Sequence, residues 1–117
     1  MDKATLEVTA KSLVAPGKGI LATDATEGTM DKRMKSVGIE PTPELRRKFR
    51  ELLLTTGGVS EFISGVILND EIIRQKTGNG VPFADLVAQN GMIPGIKVDK
   101  GAKDMANFPG EKITEGL

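Results

Sequence analysis

Leu6, Ala10 and Leu13 recur at helical spacing, and the run APGKG at residues 15–19 breaks the stripe, so a first helix ends near Val14. GILAT follows as a short apolar strand, with Asp24 standing where it ends. Met30, Met34 and Val37 form the next helical stripe, stopped by Gly38 in the usual position past a helix C-terminus. Another helix begins at Thr42, a capping residue, with Pro43 in its first turn and Leu45, Phe49, Leu52 and Leu53 along one face. Its opposite face carries Arg46, Arg47, Arg50 and Glu51, which the pattern assigns to solvent. After TTGG, the run FISGVIL has no polar alternation and predicts a strand buried on both faces.

Asn69, Asp70 and Glu71 follow that strand directly, and a short helix passes through Ile72 and Ile73. KTGNG is a turn by composition. Pro82 then opens a helix with Phe83, Leu86 and Val87 on one side and Gly91 as its stop, and GMIPGIKV is a third strand whose Pro94 predicts an irregular or edge start. From Asp99 to Leu117 the periodicity is weak, which predicts a loop with an extended piece at EKIT.

Strands alternating with helices argue for parallel βα units in one α/β domain. Three strands are fewer than a doubly wound sheet or an eight-stranded barrel needs, and barrels run to roughly 250 residues. The 117 residues therefore suit one domain or part of one.

Composition narrows the chemistry. Sixteen Lys and Arg balance sixteen Asp and Glu, and aromatic residues make up 3%, so neither a nucleic acid nor an anionic membrane is an expected partner. With no Cys and no His, a thiol nucleophile, a histidine base and an ordinary zinc site are excluded within the chain, leaving only oxygen-ligated metals. The first residues lack the apolar stretch of a signal peptide and no apolar run approaches membrane length, so the expected location is cytoplasmic.

In parallel α/β architectures ligands bind at the carboxyl ends of strands, where Asp24, Asn69, Asp70, Lys97 and Asp99 all fall. A lysine at the end of an apolar strand can reach solvent or pair with Asp99. It can equally present a charge to phosphate or, with its pKa lowered by burial, act as a Schiff-base amine. Thr26 and Thr29 suit N-capping of the helix after the first strand, and the same geometry offers hydroxyl and amide groups to an anion. A receiver-type signalling domain would also use strand-end aspartates and a lysine. It needs five strands and an aspartate ending the third, whereas the third strand here ends in lysine. A non-catalytic anion-binding module is a further reading of Thr26, Thr29 and Lys97.

Taken in order, GILATD, GTMDKR, RRKFRELLLT, ISGVIL and GIKVDKG closely resemble the N-terminal part of class I fructose-bisphosphate aldolases, the Schiff-base enzymes, from about Leu6 to the last residue. The resemblance implies the first three βα units of a (β/α)8 TIM barrel, residues 1–117 forming the N-terminal part of a single domain completed only beyond residue 117. It implies cleavage of fructose 1,6-bisphosphate to dihydroxyacetone phosphate and glyceraldehyde 3-phosphate, a sugar-phosphate substrate, a homo-oligomeric parent enzyme, and no cofactor or metal. Asp24 matches the family's aspartate beside the Schiff-base lysine. Lys97 matches a substrate-binding lysine near the C6 phosphate, Thr26 and Thr29 match hydroxyl residues contacting the same phosphate, and Arg33 matches a substrate-binding arginine. The family usually follows its aspartate with Glu-Ser, where this chain has Ala25 and Thr26. Its iminium-forming lysine lies on a later strand, so the isolated chain is expected to be inactive, with exposed apolar surface and an unpaired strand edge favouring marginal stability or self-association.

Overall fold

A computed structural model describes residues 2–117. Helix α1 spans Lys3–Leu13, capped by Asp2, whose carboxylate accepts from the Thr5 amide at 2.7 Å. Strand β1, Gly19–Ala22, leads through an irregular loop to α2, Glu27–Ser36, and α3, Pro43–Leu54. Thr26 caps α2 and Thr42 caps α3, with Pro43 in the first turn of α3. Gly38, just past α2, takes φ +77°, a conformation that carries no Cβ penalty in glycine.

A single turn, α4 (Val59–Phe62), delivers the chain into β2, Ile63–Leu68. Another turn, α5 (Asp70–Ile73), follows β2 at once, and α6 (Phe83–Gln89) returns the chain to β3, Ile93–Ile96. The three strands form one parallel sheet in the order β1-β2-β3, with Ala22 opposite Ile67 and Leu68 opposite Ile96. Both connections are helical crossovers, as parallel neighbours require. Pro94 sits within β3, an edge strand among the described residues, where its missing N–H is tolerated.

β2 carries the core. Val66 and Leu68 pack with Leu54 of α3, Ile72 of α5, Phe83 and Val87 of α6, and Met92. Burying each large side chain contributes roughly 1.5–3 kcal/mol. Beneath the sheet's amino end, Leu13 of α1 lies against Gly65, and the Ser64 hydroxyl donates to the Leu13 carbonyl at 2.6 Å. A Cβ at residue 65 would collide with the Leu13 side chain, so this close approach depends on glycine.

Two expectations are corrected. The arginine face of α3 is not a solvent face: Arg46 is 5% and Arg50 1% exposed, while Phe49 and Leu52 on the apolar face are 43% and 66% exposed. Arg46, Arg50 and Leu54 lie one turn apart on a single stripe, and that stripe turns toward the sheet because acceptors from three other segments neutralise and bond the guanidinium groups. Leu45, Phe49 and Leu52 instead line an apolar groove with Met30, Met34, Val37 and Ile39. The tail is also more ordered than a loop: β4 (Ala102–Asp104) pairs antiparallel with β5 (Lys112–Thr114), the latter falling in the extended EKIT piece. Both strands of this hairpin are exposed throughout.

Candidate substrate site at the carboxyl ends of the strands

Each strand of the parallel sheet ends in polar residues for a shared reason. The last backbone groups of the sheet must be satisfied as the chain leaves it, and the loops that do this bring side chains to one rim. The Thr23 amide and hydroxyl both donate to the Ile67 carbonyl, at 3.0 and 2.8 Å, extending the β1–β2 pairing by one residue. The Lys97 amide donates to the Leu68 carbonyl at 2.8 Å and does the same for β3. Between these extensions opens a cavity of about 440 Å³ lined by Thr26, Glu27, Asn69, Asp70, Glu71, Arg74, Lys97 and Asp99.

Of the residues singled out in the sequence, Thr26, Asn69, Asp70, Lys97 and Asp99 line this cavity directly, and Asp24, Thr29 and Arg33 do not. The Thr26 hydroxyl oxygen accepts from the Thr29 amide at 3.4 Å and lies 3.1 Å from the Thr29 hydroxyl, so the two threonines form one polar cluster at the start of α2. The N-terminal amides of that helix carry partial positive charge. Lys97, with a side chain 24% exposed, is ion-paired with Asp99. That pair holds the Asp99 carboxyl below the ordinary aspartate range, helped by the Gly101 amide, which donates to it at 2.9 Å.

Asp24 lies half-buried between Thr23 and Ala25, and its carboxylate makes no hydrogen bond among the described residues. Arg33 does not join the cavity. It lines the apolar groove between α2 and α3 and a smaller cavity of about 120 Å³ beside Thr23, Ala25 and Arg50.

A set of buried charges adjoins the cavity, of which Glu71 alone lines it. Arg46 donates to Asp31 at 2.7 Å and to both oxygens of Glu71 at 2.7–3.1 Å. Arg50 donates to Glu71 at 2.9 Å. Burial pushes the Glu71 carboxyl up, but hydrogen bonds and charge from Arg46 and Arg50 outweigh it and leave the group below the usual glutamate range. Glu71, then Asp31, raise the Arg46 pKa, keeping that guanidinium charged. Glu71 on α5 and Arg74 just past it, together with the two arginines of α3, were not assigned to the site from the sequence. The available signal was the i, i+4, i+8 alignment of Arg46 and Arg50 with the apolar Leu54.

Chemically, the cavity offers the Lys97 ammonium, the Thr26 hydroxyl and the start of α2, with carboxylates among its lining. This set can fix an anionic group while a neighbouring carboxylate handles protons. Among the described residues no cluster of three or more Asp, Glu, His or Cys could hold a metal ion.

Residues 5–117 match the family model for fructose-bisphosphate aldolase class-I. The chain is 61% identical, over all of its 117 residues, to a probable fructose-bisphosphate aldolase class 1 of Xanthomonas campestris, covering 35% of that protein. It is 50% identical over 109 residues, 93% of the chain, to the cytosolic fructose-bisphosphate aldolase 5 of Arabidopsis thaliana, covering 30% of it. Its structure superposes on a fructose-bisphosphate aldolase of Plasmodium falciparum with a TM-score of 0.91 at 44% identity, over 97% of this chain and 33% of the other. The chain thus spans about a third of the length of the relatives it matches. With its three parallel strands, its rim of Thr26 and Lys97, and a family match from residue 5 to its last residue, the chain belongs to the class I fructose-bisphosphate aldolase family.

Proposed function

We propose that this chain supplies the first three strands of an aldolase barrel and, at their carboxyl ends, the wall that receives the C6 phosphate of fructose 1,6-bisphosphate. The observation that carries this reading is the convergence of Thr26 and Lys97, from the ends of β1 and β3, on one cavity. Thr26, Thr29 and the α2 amides hold the phosphate oxygens, and Lys97 supplies the countercharge by exchanging Asp99 for the ligand. Asp24 serves as the carboxylate beside the reacting carbons, and Arg33, which lines a separate small cavity beside Thr23 and Ala25, stands at the position of the family's substrate-binding arginine.

In the complete reaction a lysine amine condenses with the substrate ketone to an iminium, losing water. The iminium takes up the electron pair of the broken carbon–carbon bond, and the aldehyde leaves after its hydroxyl proton is removed. Lys97 is the one lysine lining the cavity among the described residues, and it is ion-paired. The iminium-forming lysine accordingly comes from strands beyond residue 117, within the same barrel domain, and the isolated chain binds without cleaving. The parent enzyme works in the cytoplasm, in glycolysis, as a homo-oligomer. The cytosolic Arabidopsis relative supports the location, and no helix among the described residues is long and apolar enough to cross a membrane.

Calorimetric titration of the chain with fructose 1,6-bisphosphate, followed by a cleavage assay with borohydride trapping, tests this reading. Saturable binding lost in Lys97→Ala, with no turnover and no trapped adduct, is the expected result. Turnover with a borohydride-trapped lysine in this chain would overturn the assignment of Lys97 as a phosphate ligand.

A further inference from the structure

The loop from Thr23 to Thr26 has no regular structure, yet it carries Asp24 and presents Thr26 to the cavity. Its carbonyls are held from behind by two side chains. Arg50 donates from one nitrogen to the Ala25 carbonyl at 2.7 Å and from Nε to the Thr23 carbonyl at 3.3 Å. The Asn69 amide nitrogen donates to the same Ala25 carbonyl at 3.1 Å, while its Oδ1 accepts from the Ile72 amide at 3.0 Å and caps α5. Arg50 lines no part of the 440 Å³ cavity. Its third contact, to Glu71 at 2.9 Å, joins it through Arg46 to Asp31 on α2, the helix that Thr26 caps.

Resting on the phosphate reading above, we propose that Arg50, assisted by Asn69, is a positioning residue: it fixes the two carbonyls that flank Asp24 and thereby holds Thr26 and Thr29 facing the phosphate. A planar guanidinium reaches two carbonyls and a carboxylate at once from a rigid fork. A lysine ammonium keeps the charge opposite Glu71 but cannot span the same three acceptors. The position suits this task because Ala25 contributes only backbone here, so the loop has no side chain of its own at that residue with which to anchor itself. A buried carbonyl left without a donor would draw the loop toward water, and misplacement of about 1 Å at a binding group is enough to be felt in the chemistry.

The test uses the isotope-labelled chain, with residue-resolved amide hydrogen exchange and titration by inorganic phosphate. Arg50→Lys and Asn69→Ser are the informative variants. The second adds no charge to the cavity, removes the donor to Ala25 and keeps a hydroxyl that can cap α5, so it carries the test if Arg50→Lys fails to fold. Exchange at residues 25–29 is expected to accelerate roughly tenfold while that of β2 stays near wild type, and phosphate affinity to fall about tenfold. Lys97→Ala should lose phosphate binding with the loop's exchange unchanged. Wild-type-like exchange and affinity in both variants, or acceleration spread evenly over loop and sheet, would overturn the proposal and leave the phosphate reading standing. Failure of the wild-type chain to bind phosphate would instead remove that reading, and this proposal with it.

Discussion

Two sets of opposite charges lie within one rim of the sheet, and they differ in what surrounds them. Arg46, Arg50, Glu71 and Asp31 interlock behind the loop, the two guanidinium groups almost sealed from water. Lys97 and Asp99 pair at the front, with 24% and 27% of their side chains exposed to the cavity side. The rear set uses its donors on backbone and carboxylates of the chain itself, so it is committed. The front set joins one ammonium to one carboxylate in reach of solvent, so an incoming anion can replace the partner at low cost. Burial and saturation, more than charge, separate the part that shapes the site from the part that acts in it.

The largest effect is expected from breaking the rear set. Glu71→Leu leaves Arg50 buried without its counter-ion and should cost about 3–5 kcal/mol in urea unfolding. A loss under about 1 kcal/mol would mean that the carbonyls alone stabilise the guanidinium groups. Acid should act on the same set more gradually. The folded pKa of Glu71 lies below its unfolded value, so its contribution is complete above the ordinary glutamate value of about 4.3 and is lost as pH falls through the folded value. The urea midpoint should accordingly drop below about pH 4 in the wild-type chain, and Glu71→Gln should flatten that dependence.

The front set should behave in the opposite way. Lys97→Ala is expected to change unfolding by no more than about 0.5 kcal/mol, since its pair is partly exposed, while removing sugar-phosphate binding. Smallest of all is Lys112→Ala on the hairpin, whose pair with Asp104 is exposed and should leave both stability and binding within error.

Much of this architecture was legible in the chain. Caps at Thr42 and Thr26, the stop at Gly38 and the unalternating ISGVIL run each have a local physical cause, and each element formed where that cause placed it. Of the five residues that the strand-end rule named, Asn69, Asp70, Lys97 and Asp99 line one cavity and Asp24 does not, while Thr26, read as a helix cap, joins them. What local pattern could not reveal was the orientation of α3. A helix with an apolar face and an arginine face normally buries the former, and acceptors distant in sequence, Asp31, Glu71 and the carbonyls of the β1 loop, reverse that preference. The hairpin was legible only at EKIT, where β5 formed, and its other strand escaped for a different reason. Its strands are three residues each and exposed on both faces, so no alternation marks them. Arg33 shows the remaining gap: motif position placed it with the threonines, whereas it lines a separate cavity with Thr23, Ala25 and Arg50.

The most direct measurement is an amide chemical-shift map of the labelled chain titrated with fructose 1,6-bisphosphate, alongside Lys97→Ala. Saturable shifts at residues 26–29 and 97–99, absent in the variant, are the predicted result. Shifts that are missing, or that concentrate on the lysines of the exposed hairpin, would contradict a phosphate site at the strand ends.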